Sequence, residues 1–136
     1  MKTPGAAYFV AAGDLNEDGN LDAAVAHDDA DTGCVLMNDG HGRFAVSPLD
    51  LGSRAWQMAI KDMNGDGKAD VVAAAGDVLR VFLGDGRGGL RPAYGSPFAT
   101  GKGTWCLAMA DFNEDGKPDV AATCLEAGHV AILLAR

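Results

Sequence analysis

Positive charge is in short supply. The chain holds 11 Lys and Arg against 19 Asp and Glu, a formal net charge of −8, and that sign argues against nucleic acid as a partner. Cysteine is scarce too. Cys34, Cys106 and Cys124 are odd in number, so they build no full disulfide framework, and their spacing fits no zinc motif. No apolar run is long enough to span a membrane. There is no Gly-x-Ser-x-Gly elbow, no phosphate-binding glycine loop and no His-Glu-x-x-His pair. With no catalytic constellation, the expectation is a protein that is not an enzyme. His27, His41 and His129 recur at no common position and read as solvated histidines beside turns.

What is present is a repeat. Asp14-Leu15-Asn16-Glu17-Asp18-Gly19-Asn20-Leu21-Asp22 returns as Asp62-Met63-Asn64-Gly65-Asp66-Gly67-Lys68-Ala69-Asp70. It returns again as Asp111-Phe112-Asn113-Glu114-Asp115-Gly116-Lys117-Pro118-Asp119. The copies start about 48 residues apart, a period that points to a repeat architecture. Positions one, three, five and nine are Asp, Asn, Asp and Asp each time. Such crowding of oxygen side chains is repulsive unless a hard cation sits among them, and calcium accepts several oxygen ligands in flexible geometry. Position six is always Gly, where the loop must turn sharply. Position seven varies (Asn20, Lys68, Lys117), as a main-chain carbonyl ligand allows.

The expected metal ligands are therefore Asp14, Asn16, Asp18, Asn20 and Asp22 in the first loop. They are Asp62, Asn64, Asp66, Lys68 and Asp70 in the second, and Asp111, Asn113, Asp115, Lys117 and Asp119 in the third. Asn20, Lys68 and Lys117 would act through their carbonyls. The loop opens like an EF-hand loop, but Val25, Ala73 and Ala122 stand where the closing Glu would be. The ninth-position aspartates would close each site instead. Nine of the 19 acidic residues are these loop aspartates, so three Ca²⁺ ions would offset most of the net charge. The His27-Asp28-Asp29-Ala30-Asp31 stretch reads as a solvated acidic loop.

The flanks read as strands. Before each loop, side chains alternate with period two. One face carries Tyr8, Val10 and Ala12, then Trp56, Met58 and Ile60, then Trp105, Leu107 and Met109. The other carries Phe9, Ala11 and Gly13, then Gln57, Ala59 and Lys61, then Cys106, Ala108 and Ala110. Bulky faces opposite slim ones let stacked sheets interlock, and Trp56 and Trp105 are expected to pack between sheets rather than to serve sugars. By the same alignment, residues 1–13 are a first strand and not a targeting segment.

After each loop comes a strand apolar on both faces (21–26, 69–75, 118–124), which must be covered on both sides. A third strand follows at 34–37, 78–83 and 130–134. The turns Asn38-Asp39-Gly40-His41-Gly42 and Gly84-Asp85-Gly86-Arg87-Gly88 lead to a fourth strand at Phe44 and at Leu90. Pro48, Pro92 and Pro97 are expected to break that fourth strand, as suits an outer edge. Counting outward from Asp115 places Cys106 opposite Cys124, either as a disulfide or as two thiols side by side.

The expectation is an all-β chain of three four-stranded antiparallel meanders, blades of a β-propeller. They cover about residues 6–53, 54–102 and 103–136, the last without its outer strand. The Asp-x-Asn-x-Asp-Gly-x-x-Asp loop before an apolar strand, with the Asp-Gly-x-Gly turn, resembles the integrin-α-type propeller repeats called FG-GAP or VCBS repeats. The resemblance implies calcium in the hairpin loops, an extracellular or cell-surface location, and a role in adhesion or ligand recognition. Some relatives are lectins and others flank catalytic domains. A carbohydrate-binding lectin is therefore one alternative, and an accessory piece of a larger secreted enzyme or of a designed propeller is another.

Closed propellers have about four to eight blades. Three blades would expose two apolar faces, which a monomer does not tolerate. The chain thus reads either as a piece of a longer propeller or as half of a homodimeric ring of six blades, with a glycan or protein as its ligand.

Overall fold

The computed structural model describes residues 1–135. It is all-β, with no helix among the described residues and three antiparallel sheets in chain order. The first sheet is β1 (Ala7–Gly13), β2 (Asp22–His27), β3 (Thr32–Asn38) and β4 (Phe44–Asp50), paired in that order. The second is β5 (Ala55–Lys61), β6 (Asp70–Ala75), β7 (Val78–Gly84) and β8 (Leu90–Pro92), with β9 (Phe98–Ala99) also on β7. The third is β10 (Thr104–Ala110), β11 (Asp119–Cys124) and β12 (His129–Leu133). Sheets built as sequential meanders are consistent with propeller-like blades.

The apolar strands lie where their two-sided pattern requires. All six residues of β6 are buried. Val71 and Ala73 belong to a core shared with Phe9, Ala11, Ala24 and Ala26 of the first sheet. Val72 and Ala74 belong to a second core shared with Leu107, Val120 and Ala122 of the third. Successive β6 side chains thus serve opposite cores, which is what wedges the second sheet between its neighbours. Each fully buried valine of this kind contributes about 1.5–3 kcal/mol by removal from water. The bulky-against-slim fit is direct at one point: a Cβ on Gly13 would strike the side chain of Ile60.

Several expectations are corrected. Pro48 does not break its strand; β4 runs through it opposite Cys34. As an edge strand, β4 has one unpaired side on which a missing N–H costs no ladder bond. The fourth strand of the second sheet does break, into β8 and β9. The turn between them is closed by Ser96 N–H donating to the Ala93 carbonyl (3.0 Å), and Ser96 Oγ accepts Val81 N–H (3.1 Å).

Cys106 does not oppose Cys124. A register shift between Thr104 and Leu107 puts Thr104 there instead, and all three cysteines are free, with Cys34 and Cys124 buried and Cys106 exposed. His27 is not solvated. It is 1% exposed, beside residues 1–6, whose Ala6 carbonyl takes Asp28 N–H (2.8 Å) while Ala6 N–H donates to Asp29 Oδ1 (2.9 Å).

Equivalent shifts occur in all three first strands, between Ala7 and Phe9, Ala55 and Gln57, and Thr104 and Leu107. A bulge re-aims the side chain it carries, and here it carries Tyr8, Trp56 and Trp105. These three form a row across both sheet junctions. Trp56 and Trp105 are stacked at 4.3 Å between centroids, and Tyr8 meets Trp56 edge-on at 5.7 Å. The Arg54 guanidinium lies 4.1 Å over the Trp56 ring and pairs with Asp28. The two tryptophans pack on each other across the junction of the second and third sheets, outside both cores, and Trp105 is 38% exposed.

Candidate metal-binding loops

Each nonapeptide loop joins the first strand of a sheet to the second, and each folds alike because its side chains replace missing main-chain partners. The first aspartate anchors the turn. Asp14 Oδ2 accepts Gly19 N–H (2.9 Å), Asp62 Oδ2 accepts Gly67 N–H (2.8 Å), and Asp111 Oδ2 accepts Gly116 N–H (2.7 Å). Those glycines have φ of 83°, 86° and 87°, the left-handed region that the sequence predicts at position six. Position four is left-handed as well: Glu17 at 60°, Gly65 at 78° and Glu114 at 60°. The variable residue at that position concealed this feature.

The middle donors form a chain. Asn16, Asn64 and Asn113 accept the N–H of Asp18, Asp66 and Asp115 at 3.2, 3.0 and 3.2 Å. Their amide groups donate back to those carboxylates at 3.0, 3.2 and 3.0 Å. The fifth-position carboxylates accept the N–H of Asn20, Lys68 and Lys117 at 2.8, 2.9 and 2.9 Å. That main-chain bond is the first cause holding Asp18, Asp66 and Asp115 below the usual carboxylate range. Those three carboxylates therefore remain ionised at neutral pH.

The ninth aspartates stand apart. Asp22, Asp70 and Asp119 are at most 1% exposed. Asp22 accepts Leu15 N–H and Asn38 N–H, both at 2.8 Å. Asp70 accepts Met63 N–H (2.7 Å) and Gly84 N–H (2.8 Å). Asp119 accepts Phe112 N–H (2.9 Å) and Ala135 N–H (2.8 Å). Each one staples the start of its loop to the end of the third strand. Burial raises the Asp70 carboxyl above its ordinary value, against the pull of its bonds from Gly84 and Met63. The sequence signal was the invariance of this position within the chain, but it is equally the signal of a ligand.

The structure thus brings the donors at positions one, three and five together in each exposed turn, while the ninth is buried and braces the loop. Among the described residues, no group of three or more His, Cys, Asp or Glu side chains is arranged to hold a metal ion. The donor chemistry still fits a hard divalent cation. Two carboxylates and an amide oxygen share one exposed turn, and a carboxylate oxygen that accepts one N–H retains a second lone pair.

The Asp39 and Asp85 turns are built on the same device. Asp85 Oδ1 accepts Arg87 N–H (2.7 Å) and Gly89 N–H (2.9 Å), which holds its carboxyl low. Gly88 of that turn donates its N–H to the Leu15 carbonyl of the first loop at 3.1 Å, tying loop to neighbouring sheet.

Compared with known proteins, the chain matches the sequence model described as FG-GAP-like repeat, over residues 14–73 and again over residues 62–122. The two overlapping matches each run from one nonapeptide loop to the strand beyond the next. A comparison with curated proteins gives no match.

Proposed function

The chain belongs to the FG-GAP-like repeat family, and from that premise we propose that it is a calcium-binding, non-enzymatic propeller module for adhesion or ligand recognition outside the cell. The observation that carries this reading is the threefold recurrence of one oxygen-rich loop with one hydrogen-bond pattern.

In this reading the first ion is held by Asp14, Asn16, Asp18, Asp22 and the Asn20 carbonyl. The second and third use Asp62, Asn64, Asp66, Asp70 and Lys68, and Asp111, Asn113, Asp115, Asp119 and Lys117, with the lysines acting through their carbonyls. Calcium supplies neutralisation of the loop carboxylates and a fixed hairpin. Affinity on the order of 10⁻⁴ to 10⁻³ M, that of extracellular modules, suits so exposed a donor set. The same reading has two copies closing one six-bladed ring, because the first and third sheets each show an apolar face on the side away from the second. A protein or glycan ligand would then be recognised on the assembled ring.

Thermal melting with calcium and then with excess chelator tests the metal. Calcium binding to the folded chain alone raises the melting temperature, by several degrees at concentrations well above the dissociation constant. An unchanged melting temperature, with no calcium retained in equilibrium dialysis, removes the metal reading.

A further inference from the structure

At both junctions inside the chain, the segment leading into the next first strand fills a notch on the preceding sheet. At the first junction, Leu51 N–H donates to the Asp31 carbonyl (3.1 Å), Arg54 pairs with Asp28, and Trp56 reaches Tyr8. At the second, Thr104 N–H donates to the Gly76 carbonyl (2.9 Å), Gly103 N–H to Asp77 Oδ1 (2.9 Å), and Trp105 stacks on Trp56. The residue after the first loop aspartate joins the seal each time. Leu15 is 1% exposed in the first core and Met63 is 9% exposed in the second.

On the third sheet the same notch is open. It is a cavity of about 380 Å³ lined by Trp105, Thr123, Leu125, Gly128, His129 and Val130. The counterpart of Leu15 and Met63 is Phe112, which is 49% exposed. Val130 and Ile132 are more than half exposed on the same sheet. The matching half of such a junction, an aromatic first strand with an apolar face, is found at the other end of the chain. There Tyr8 is 49% and Val10 61% exposed, and Val46 extends the face on β4. The groove on the third sheet and the wedge on the first are the two halves of one repeating junction, and a second copy supplies both.

We propose that the notch beside Trp105 receives the first strand of a second copy, with the partner's Tyr8 on Trp105 and the partner's Val10 over the face of Ile132. This deepens the ring-closing reading above and rests on it. The contact is head-to-tail. A twofold pair makes it twice, and the row Tyr8, Trp56, Trp105 continues into the partner's Tyr8 without interruption. Cys106, exposed in one chain on the side of β10 facing away from the second sheet, is covered in the pair.

The test uses the full chain with calcium, in light scattering and thiol labelling. The wild type is expected at twice the chain mass, with Cys106 slow to react until dilution separates the pair. Val10→Glu and Ile132→Glu are each expected at the mass of one chain, with Cys106 reacting at least tenfold faster. Mixed in equal amounts they are expected to associate as a pair, because the intact notch of one meets the intact first strand of the other. Circular dichroism checks that each variant is folded. If either fails to fold, Val46→Glu and Leu125→Glu replace them on the same two faces.

A dimer lost through only one of the two faces means like-with-like contact and overturns the proposal, as does a mixture that stays at single-chain mass. A wild-type chain at single-chain mass overturns it too, whether or not a glycan or another protein occupies the notch. The metal reading stands or falls separately, on the melting test.

Discussion

The Asp70 carboxylate accepts the N–H of Gly84 at 2.8 Å from a position that water does not reach. Its other oxygen takes Met63 N–H at 2.7 Å. The loop and the end of β7 are thus held by one side chain. Asp70→Asn keeps the shape but turns an amide group toward an N–H, so one donor loses its partner. Hydrogen bonds to charged groups contribute about 1.5–3 kcal/mol, and a loss of that size is expected. Urea unfolding in chelator measures it. Asp66→Asn, on the exposed side of the same loop, is expected to cost less than Asp70→Asn in chelator while removing the calcium response of its loop. Equal losses from the two would contradict the bracing role of Asp70.

Stability in acid follows from the same loops. Asp18, Asp66 and Asp115 are lowered in the folded chain because each accepts a main-chain N–H. The unfolded chain therefore binds protons first as pH falls. The stability they confer is present above the ordinary aspartate value near 3.9 and is lost as pH drops through the lowered folded values. Asp70 acts in the opposite sense: burial raises its folded value, so its contribution declines as pH rises through that value. In chelator, melting temperature is expected to fall steeply below about pH 4, and Asp115→Asn to make that fall shallower. An unchanged acid slope in Asp115→Asn would contradict the assignment.

The loops and the strand order were legible because both are written in local chemistry: ligand spacing, period two, and Asp-Gly turns. The bracing role of Asp22, Asp70 and Asp119 was not, since a buried brace and a ligand call for the same residue at the same place. The bulges at Tyr8, Trp56 and Trp105 add a residue without changing the apolar pattern around them. They therefore defeated the count that set Cys106 opposite Cys124. Pro48 lies on the outer edge as expected, but an edge strand need not break at a proline, because its open side asks for no N–H. His27 was misread because burial beside residues 1–6 is settled by distant pairing, not by neighbours in sequence.

Two glycines separate two kinds of constraint. Gly65 has φ of 78°, and a Cβ there would meet nothing within 4 Å. Gly65→Ala is expected to cost about 1–2 kcal/mol through the left-handed backbone alone. Gly13 lies in β1 with its space occupied by Ile60. Gly13→Ala is expected to cost about 1–3 kcal/mol by overpacking, and Ile60→Ala, which removes the γ-methyl that the new Cβ meets, to recover part of that loss. A double-mutant cycle on stability reads the coupling. No coupling between residues 13 and 60 would mean that the two sheets do not interlock there.

Position two of the three loops gives the most direct view of what a missing neighbour costs. Leu15 and Met63 each lie in a core between two sheets, whereas Phe112 stands half exposed on the third sheet. Leu15→Ala removes a filled core position and is expected to cost about 2–5 kcal/mol. Phe112→Ala is expected to cost well under that in a single chain, because water already reaches half of the ring. In a pair of chains the ranking changes, since the partner's first sheet would cover Phe112 as the second sheet covers Leu15. Phe112→Ala should then leave the stability of the dilute, separated chain nearly unchanged and yet weaken association at least tenfold, read as a rise in the dissociation constant by sedimentation. If it unfolds the separated chain as strongly as Leu15→Ala does, Phe112 is already part of a core and the third sheet offers no open junction.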